Sequence, residues 1–69
     1  MLAFEKGEYL TALTLAGQRA KDGDAAANTL VGRIYDEGLG VDRNEATAAK
    51  WYARGAELGD TEGAFALGV

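Results

Sequence analysis

The sequence predicts an all-α fold built from stacked helical repeats, and three observations lead to this prediction. Gly23–Asp24 recurs as Gly59–Asp60, 36 positions later, and a fixed period of this length is typical of helical arrays. Apolar and small residues recur every three or four positions, which is the spacing of one helical face. The chain contains no proline, and its high alanine content favours helix throughout.

The first two predicted helices meet at Gly23. The first helix covers residues 8–22, and the inner face expected for it consists of Leu10, Leu13, Gly17 and Ala20. Gly23 is expected to end this helix in the left-handed conformation, and Asp24 is expected to cap the second helix. The second helix extends to about residue 37, and its inward positions are predicted to be Ala27, Leu30, Val31 and Ile34.

A glycine loop separates the second predicted helix from the third. Gly38 and Gly40 permit backbone angles that are closed to other residues. Asp42 with Glu45 three residues later resembles a capping box, so the third helix is expected to begin after Asp42 and to run to about residue 58. The residues predicted to form its inner face are Ala46, Ala49, Tyr52, Ala53 and Ala56. Gly59–Asp60 repeats the stop and start signal, and a fourth helix begins there.

Two glycines and two aromatic residues are predicted to shape the packing. Gly32 and Gly68 each follow a large apolar residue at a predicted mid-helix position, where glycine costs about 1 kcal/mol relative to alanine. Their recurrence favours close approach of a neighbouring backbone over a merely tolerated exposed position. Trp51 and Tyr52 are predicted to fill the space between layers, rather than to stack on a ligand.

The composition argues against several classes of function. The chain has no histidine, cysteine or serine, so the commonest nucleophiles, the physiological-pH base and the soft metal ligands are missing. We therefore expect no enzyme activity, no cofactor and no metal. The net charge is −4 and the basic residues are scattered along the sequence, so no nucleic-acid partner is expected. No apolar run reaches the ~20 residues that span a bilayer, and the compartment is left open between cytoplasm and periplasm.

Part of the chain resembles a known repeat family. The stretch Leu-Val-Gly-Arg-Ile-Tyr-Asp-Glu-Gly-Leu-Gly-Val over residues 30–41 is followed by Ala46, Lys50-Trp51-Tyr52, Ala53, Ala56 and Gly59-Asp60. This combination looks like a Sel-like repeat, a relative of the tetratricopeptide repeat. Two positions depart from the usual pattern: Gly55 replaces alanine or a larger residue, and Val31 stands where leucine is typical.

The resemblance implies a single domain over residues 1–69, with the architecture of an α/α superhelix (solenoid) of antiparallel helix pairs. Residues 4–24 look like an opening helix and partial repeat, residues 25–60 like one complete repeat, and residues 61–69 like the start of a further repeat. Because each unit of a solenoid buries its apolar face against a neighbour, we expect a fragment of a longer array. The isolated piece is then expected to self-associate through its truncated ends.

The same resemblance implies a concave surface formed by the first helix of each pair. Its expected solvent-facing, partner-binding residues are Thr29, Arg33, Asp36, Glu62 and Phe65. Arg33 is the expected anchor, because its planar guanidinium can pair with a carboxylate or a peptide C-terminus. The alternative for Arg33 is a solvated side chain in a helical pair with Glu37. Phe65 is expected to be an exposed aromatic that concentrates binding energy, unless a following helix covers it.

Two classes of function remain after these exclusions. The first is a protein–protein interaction scaffold, whose concave groove binds a peptide or helix of a signalling or envelope-associated partner. The second is an architectural or oligomerising segment of a longer repeat protein, with no ligand in its groove. The style of the repeat suggests a bacterial source.

Overall fold

A computed structural model describes residues 6–68, and within this range the chain forms four helices. They are α1 (Lys6–Lys21), α2 (Ala25–Glu37), α3 (Glu45–Glu57) and α4 (Thr61–Ala66). No strand occurs between residues 6 and 68, so the predicted all-α fold class is confirmed. The superhelical stacking of helix pairs stays a prediction. Residues 4, 5 and 69, which belong to the predicted partial repeats, lie outside the described residues.

The two helix junctions that lie 36 residues apart use the same hydrogen bonds. Gly23 and Gly59 have φ angles of 89° and 102°. Each glycine N–H donates to the carbonyl three residues earlier, and the next N–H donates to the carbonyl five residues earlier. The Asp24 carboxylate accepts from the N–H of Ala27, and the equivalent Asp60 carboxylate accepts from Gly63, both at 3.1 Å. The predicted stop signals and caps are therefore confirmed at both junctions.

The loop between α2 and α3 ends two residues later than the capping-box pattern predicts. The N-cap of α3 is Asn44, whose Oδ1 accepts from the N–H of Thr47 at 3.0 Å, so the predicted helix start after Asp42 is wrong. The N–H of Asn44 also donates to the Tyr35 carbonyl at 2.9 Å. This bond holds the loop, up to Asn44, against the end of α2. Helix α3 therefore begins at the next residue, Glu45.

Helices α2 and α3 form an antiparallel pair at the centre of the structure. Thr29, near the start of α2, lies against Gly55, near the end of α3, whereas Gly32 lies further along α2 against Tyr52. Contact positions that advance along α2 while they retreat along α3 show that the two helices run in opposite directions. Helix α1 packs on α2, and α4 packs on α3 and α2.

The buried core is made mainly of small and β-branched side chains. Its apolar members are Ala16, Ala20, Ala27, Val31, Ile34, Ala48 and Tyr52. The predicted inner faces are wrong at Leu10 and Leu30, which are both 43% exposed. They are also wrong at Ala46 and Ala49, which are exposed. On α3 the inner face is rotated toward Ala48 and Gly55, because these small residues let the α2 backbone come close.

Close approach through glycine is confirmed at Gly32 and wrong at Gly68. A Cβ added to Gly32 would lie 2.8 Å from Tyr52 Cδ1 and 3.1 Å from the Ala48 carbonyl oxygen. Gly68 instead follows the end of α4 with φ of 78°, and no atom lies within 4 Å of the position of an added Cβ. Gly63 is a further close crossing, where an added Cβ would meet the Tyr52 carbonyl oxygen at 2.9 Å.

Candidate partner-binding groove

The five residues predicted to bind a partner line one groove of about 290 Å³. The groove lies between α2 and α4, with α3 contributing one side chain. Its complete lining is Thr29, Arg33, Asp36, Glu37, Tyr52, Glu62, Phe65 and Ala66. Sequence reasoning did not assign Glu37, Tyr52 or Ala66 to this surface. Glu37 and Ala66 follow predicted members by one residue, whereas Tyr52 enters from α3, which the helix-face pattern assigned to the core.

Thr29 lies at the floor of the groove and does not face solvent as predicted. Only 5% of its surface is exposed, and its Oγ1 has no hydrogen-bond partner. The hydroxyl lies where side chains on Gly55 and Gly63 would otherwise be. Because both of these residues lack a Cβ, the backbones of α3 and α4 approach α2 closely enough to cover Thr29. The predicted exposure of Thr29 is therefore wrong.

Arg33 makes the helical ion pair that the sequence left open as an alternative. Its Nε lies 3.5 Å from Glu37 Oε2, and the two side chains are 59% and 52% exposed. Exposed pairs with this i,i+4 spacing contribute only about 0.3–0.5 kcal/mol. The guanidinium is thus held on the rim of the groove by a weak contact.

The groove carries more negative than positive charge. Asp36, Glu37 and Glu62 line it together with one cation, Arg33. The Tyr52 hydroxyl donates to Asp36 Oδ2 at 3.3 Å and links the groove wall to the core. Burial, reinforced by the negative charge of Asp36, raises the pKa of Tyr52 above its ordinary value of 10.0. The phenol therefore remains a hydrogen-bond donor at neutral pH.

Phe65 supplies the apolar part of the groove. It is 75% exposed, the largest fraction among the exposed large apolar side chains of the described chain. Glu62 lies one helical turn before it on α4, so a carboxylate and an aromatic ring stand side by side on the same short helix. Exposed aromatic residues are common energetic centres of protein interfaces.

The described residues contain neither a candidate metal cluster nor a helix that could span a membrane. No group of three or more histidine, cysteine, aspartate or glutamate residues in this part of the chain could hold a metal ion. None of the four helices is long and apolar enough to cross a membrane.

Antiparallel helices, junctions that recur after 36 residues and a groove between successive first helices define a helical-repeat protein. The family model of the Sel1 repeat matches residues 25–60, from the first residue of α2 to the N-cap of α4. This match covers more than half of the chain, and the chain belongs to the Sel1 repeat family. Sel1 repeats are non-catalytic repeats that bind proteins. Comparison with curated proteins and with solved structures gave no significant match.

Proposed function

We propose that this chain is a protein-interaction module that holds a peptide or a short helix of its partner in the groove between α2 and α4. The observation that carries the proposal is the presence of exposed Phe65 and three carboxylates in one groove. The preferred partner segment presents basic side chains next to an apolar one. A signalling or envelope-associated protein is the source that the family resemblance favours.

Phe65 provides most of the affinity in this proposal. Complete burial of a phenylalanine side chain stabilises a complex by about 1.5–3 kcal/mol relative to exposure. The carboxylates of Asp36, Glu37 and Glu62 contribute mainly to selectivity and to the association rate, because opposite charges steer the encounter. Their surplus over Arg33 selects a cationic segment.

Arg33 has a secondary role at the rim. Since its pair with Glu37 is exposed and weak, a carboxylate or C-terminus of the partner can replace Glu37 at little cost. That exchange would release Glu37 for a basic side chain of the partner. Arg33 thus orients a segment whose affinity comes from elsewhere in the groove.

A titration with a model peptide tests this proposal. The probe is a fluorescently labelled amphipathic peptide of lysine and leucine, added to the 69-residue chain. We expect Phe65→Ala and Glu62→Lys each to weaken binding by about tenfold. Glu8→Lys is the matched control, because Glu8 also lies in the first turn of a helix and the charge change is the same. It should change affinity less than twofold, or about 0.4 kcal/mol.

Three outcomes would contradict the groove. The first is an equal loss of affinity in Glu8→Lys, which would indicate attraction by net charge alone. The second is unchanged binding by Phe65→Ala. The third is tighter binding of the same peptide with glutamate in place of lysine, where that binding is also lost in Phe65→Ala. Circular dichroism of each variant checks that α4 remains helical.

A second candidate function is self-assembly, and exposed leucines favour it. Leu10 and Leu15 are 43% and 56% exposed on α1, and Leu58 and Leu67 are 46% and 36% exposed on either side of α4. An oligomerising segment should form larger species as its concentration rises, and Leu15→Glu should reduce them. Sedimentation over a hundredfold range of concentration decides this. A monomer throughout would contradict self-assembly and leave the groove proposal intact.

A further inference from the structure

A second cavity, of about 350 Å³, lies between the end of α1 and the α2–α3 pair and shares no lining residue with the groove. Its lining is Ala20, Lys21, Asn28, Lys50, Trp51 and Arg54. We propose that this basic cavity binds an acidic segment of a protein partner. Carboxylates of that segment would contact the three cations, and an adjacent apolar side chain would pack on Trp51.

Three of the seven basic residues of the chain converge on this cavity. They are Lys21 in the last turn of α1, and Lys50 and Arg54 one turn apart on α3. Residues that are scattered in the sequence thus lie together in the structure. No carboxylate is part of the lining.

None of the three cations forms an ion pair with a described residue. The ion pairs in that part of the chain are Arg33–Glu37 and Arg43–Glu45. Like charges one helical turn apart repel each other, as Lys50 and Arg54 do. The helix dipole favours Lys21 and Arg54, which lie in last turns, but it does not account for Lys50. A bound anionic group would relieve the repulsion.

The remaining walls indicate a peptide rather than a simple anion. The indole of Trp51 is half-buried and offers an apolar surface beside the cations. Asn28 at the floor is fully buried, and its Nδ2 donates to the Asp24 carbonyl at 2.9 Å, while its Oδ1 has no partner. Because Oδ1 is buried, the apolar face of Trp51 is the feature that distinguishes this cavity from a simple anion site.

Trp51 reports directly on this cavity, because it is the only tryptophan of the chain. The probe is an unlabelled peptide of alternating glutamate and leucine, titrated into the 69-residue chain while the tryptophan emission is followed. We expect a saturable change whose midpoint rises with salt. Lys50→Glu and Arg54→Glu should each weaken binding by about tenfold. Arg19→Glu is the matched control, since Arg19 is an exposed residue of the last turn of α1 outside the cavity.

Four results would overturn the proposal. One is the absence of any emission change with the glutamate–leucine peptide, and another is an equal loss of affinity in Arg19→Glu. An equal response to inorganic phosphate would reveal a general anion site, and a tighter response to a short oligothymidylate would reveal a nucleic-acid site. Phe65→Ala should leave this binding unchanged, so failure at the basic cavity and failure at the groove are distinguishable.

Discussion

Glycine has opposite consequences at two mid-helix positions of this protein. Gly32 of α2 faces the ring of Tyr52, and an added Cβ would lie 2.8 Å from Cδ1 and 2.9 Å from Cε1. Gly17 of α1 has no neighbouring atom within 4 Å of its added Cβ. Helix propensity is the same for both substitutions, so the difference between them measures packing alone.

We expect Gly17→Ala to raise the free energy of unfolding by about 0.5–1 kcal/mol, because alanine restricts the unfolded chain and favours helix. Gly32→Ala should lower it by about 1–3 kcal/mol, because Tyr52 is displaced from a packed position. Urea unfolding followed by circular dichroism measures both. Stabilisation by both alanines would show that the α2–α3 crossing is looser than described.

Thr29 and Gly55 lie in direct contact, so substitutions at these two positions should depend on each other. A Cβ on Gly55 would meet Thr29 Oγ1 first, so Gly55→Ala should destabilise the fold strongly when made alone. When Thr29→Ala is also present, Gly55→Ala should lower the free energy of unfolding by less. The coupling energy between the two substitutions should be about 0.5–3 kcal/mol. Gly63→Ala is the control. Its Cβ would meet Thr29 Oγ1 as well, but it would also meet the Tyr52 carbonyl oxygen at 2.9 Å, and this second contact remains when Thr29 is replaced. Thr29→Ala should therefore restore much less of the stability that is lost in Gly63→Ala than of the stability that is lost in Gly55→Ala. Equal recovery in both would contradict the role of Thr29 as the main obstacle to a Cβ at residue 55.

At the scale of the helices, the sequence predicts where elements stop and start better than which face they bury. Gly23 and Gly59 specify junctions through local backbone angles, which do not depend on the rest of the fold. The face of α3 was misjudged because Ala46, Ala48 and Ala49 are equally plausible inner residues. Only the position of the α2 backbone against Ala48 decides between them. The cap of α3 was misplaced because Asp42 and Asn44 both have suitable side chains.

The cap of α4 links helix stability to the candidate groove. Helix α4 has only six residues, and the Asp60 carboxylate accepts from the N–H of Gly63 at its start. Asp60→Ala should cost about 1 kcal/mol, concentrated in α4. We expect weaker binding of the lysine–leucine peptide, because Glu62 and Phe65 lie on this helix. Amide hydrogen exchange should show faster exchange in α4 with α2 unchanged, and uniform acceleration would contradict a local effect.

The bond between Tyr52 and Asp36 connects α3 to α2 and gives the pair a pH dependence. Burial, then the charge of Asp36, raises the pKa of the folded phenol above 10.0. The folded state therefore binds the proton more tightly, so the unfolding free energy falls as the pH rises past about 10. Phenylalanine has no ionisable group, so Tyr52→Phe should make the unfolding free energy fall less steeply as the pH rises. Thermal unfolding between pH 8 and 11 provides the comparison, and identical slopes would contradict it.

For the whole molecule, the sequence predicts the fold class, the family and five of the eight groove residues, but not where the basic residues gather. The groove residues follow from the family resemblance, which implies that the first helices of successive pairs, here α2 and α4, line one surface. The basic cavity does not follow from the resemblance, because Lys21 lies on α1 whereas Lys50 and Arg54 lie on α3, and the repeat pattern does not give the distance between these two helices. Helices α1 and α3 have no Cα atoms within 8 Å of each other, so only side chains show that they share a cavity.

The equivalent hydrogen bonds at Gly23–Asp24 and Gly59–Asp60 mean that the segment between them begins and ends at junctions of the same geometry. The backbone connects the end of α3 to Asp60 with the same geometry with which it connects the end of α1 to Asp24. If a second copy of residues 25–60 were inserted after Asp60, Asp60 would cap the first helix of the copy, as Asp24 caps α2. We therefore expect that such a copy can be added without the design of a new connecting loop at the junction.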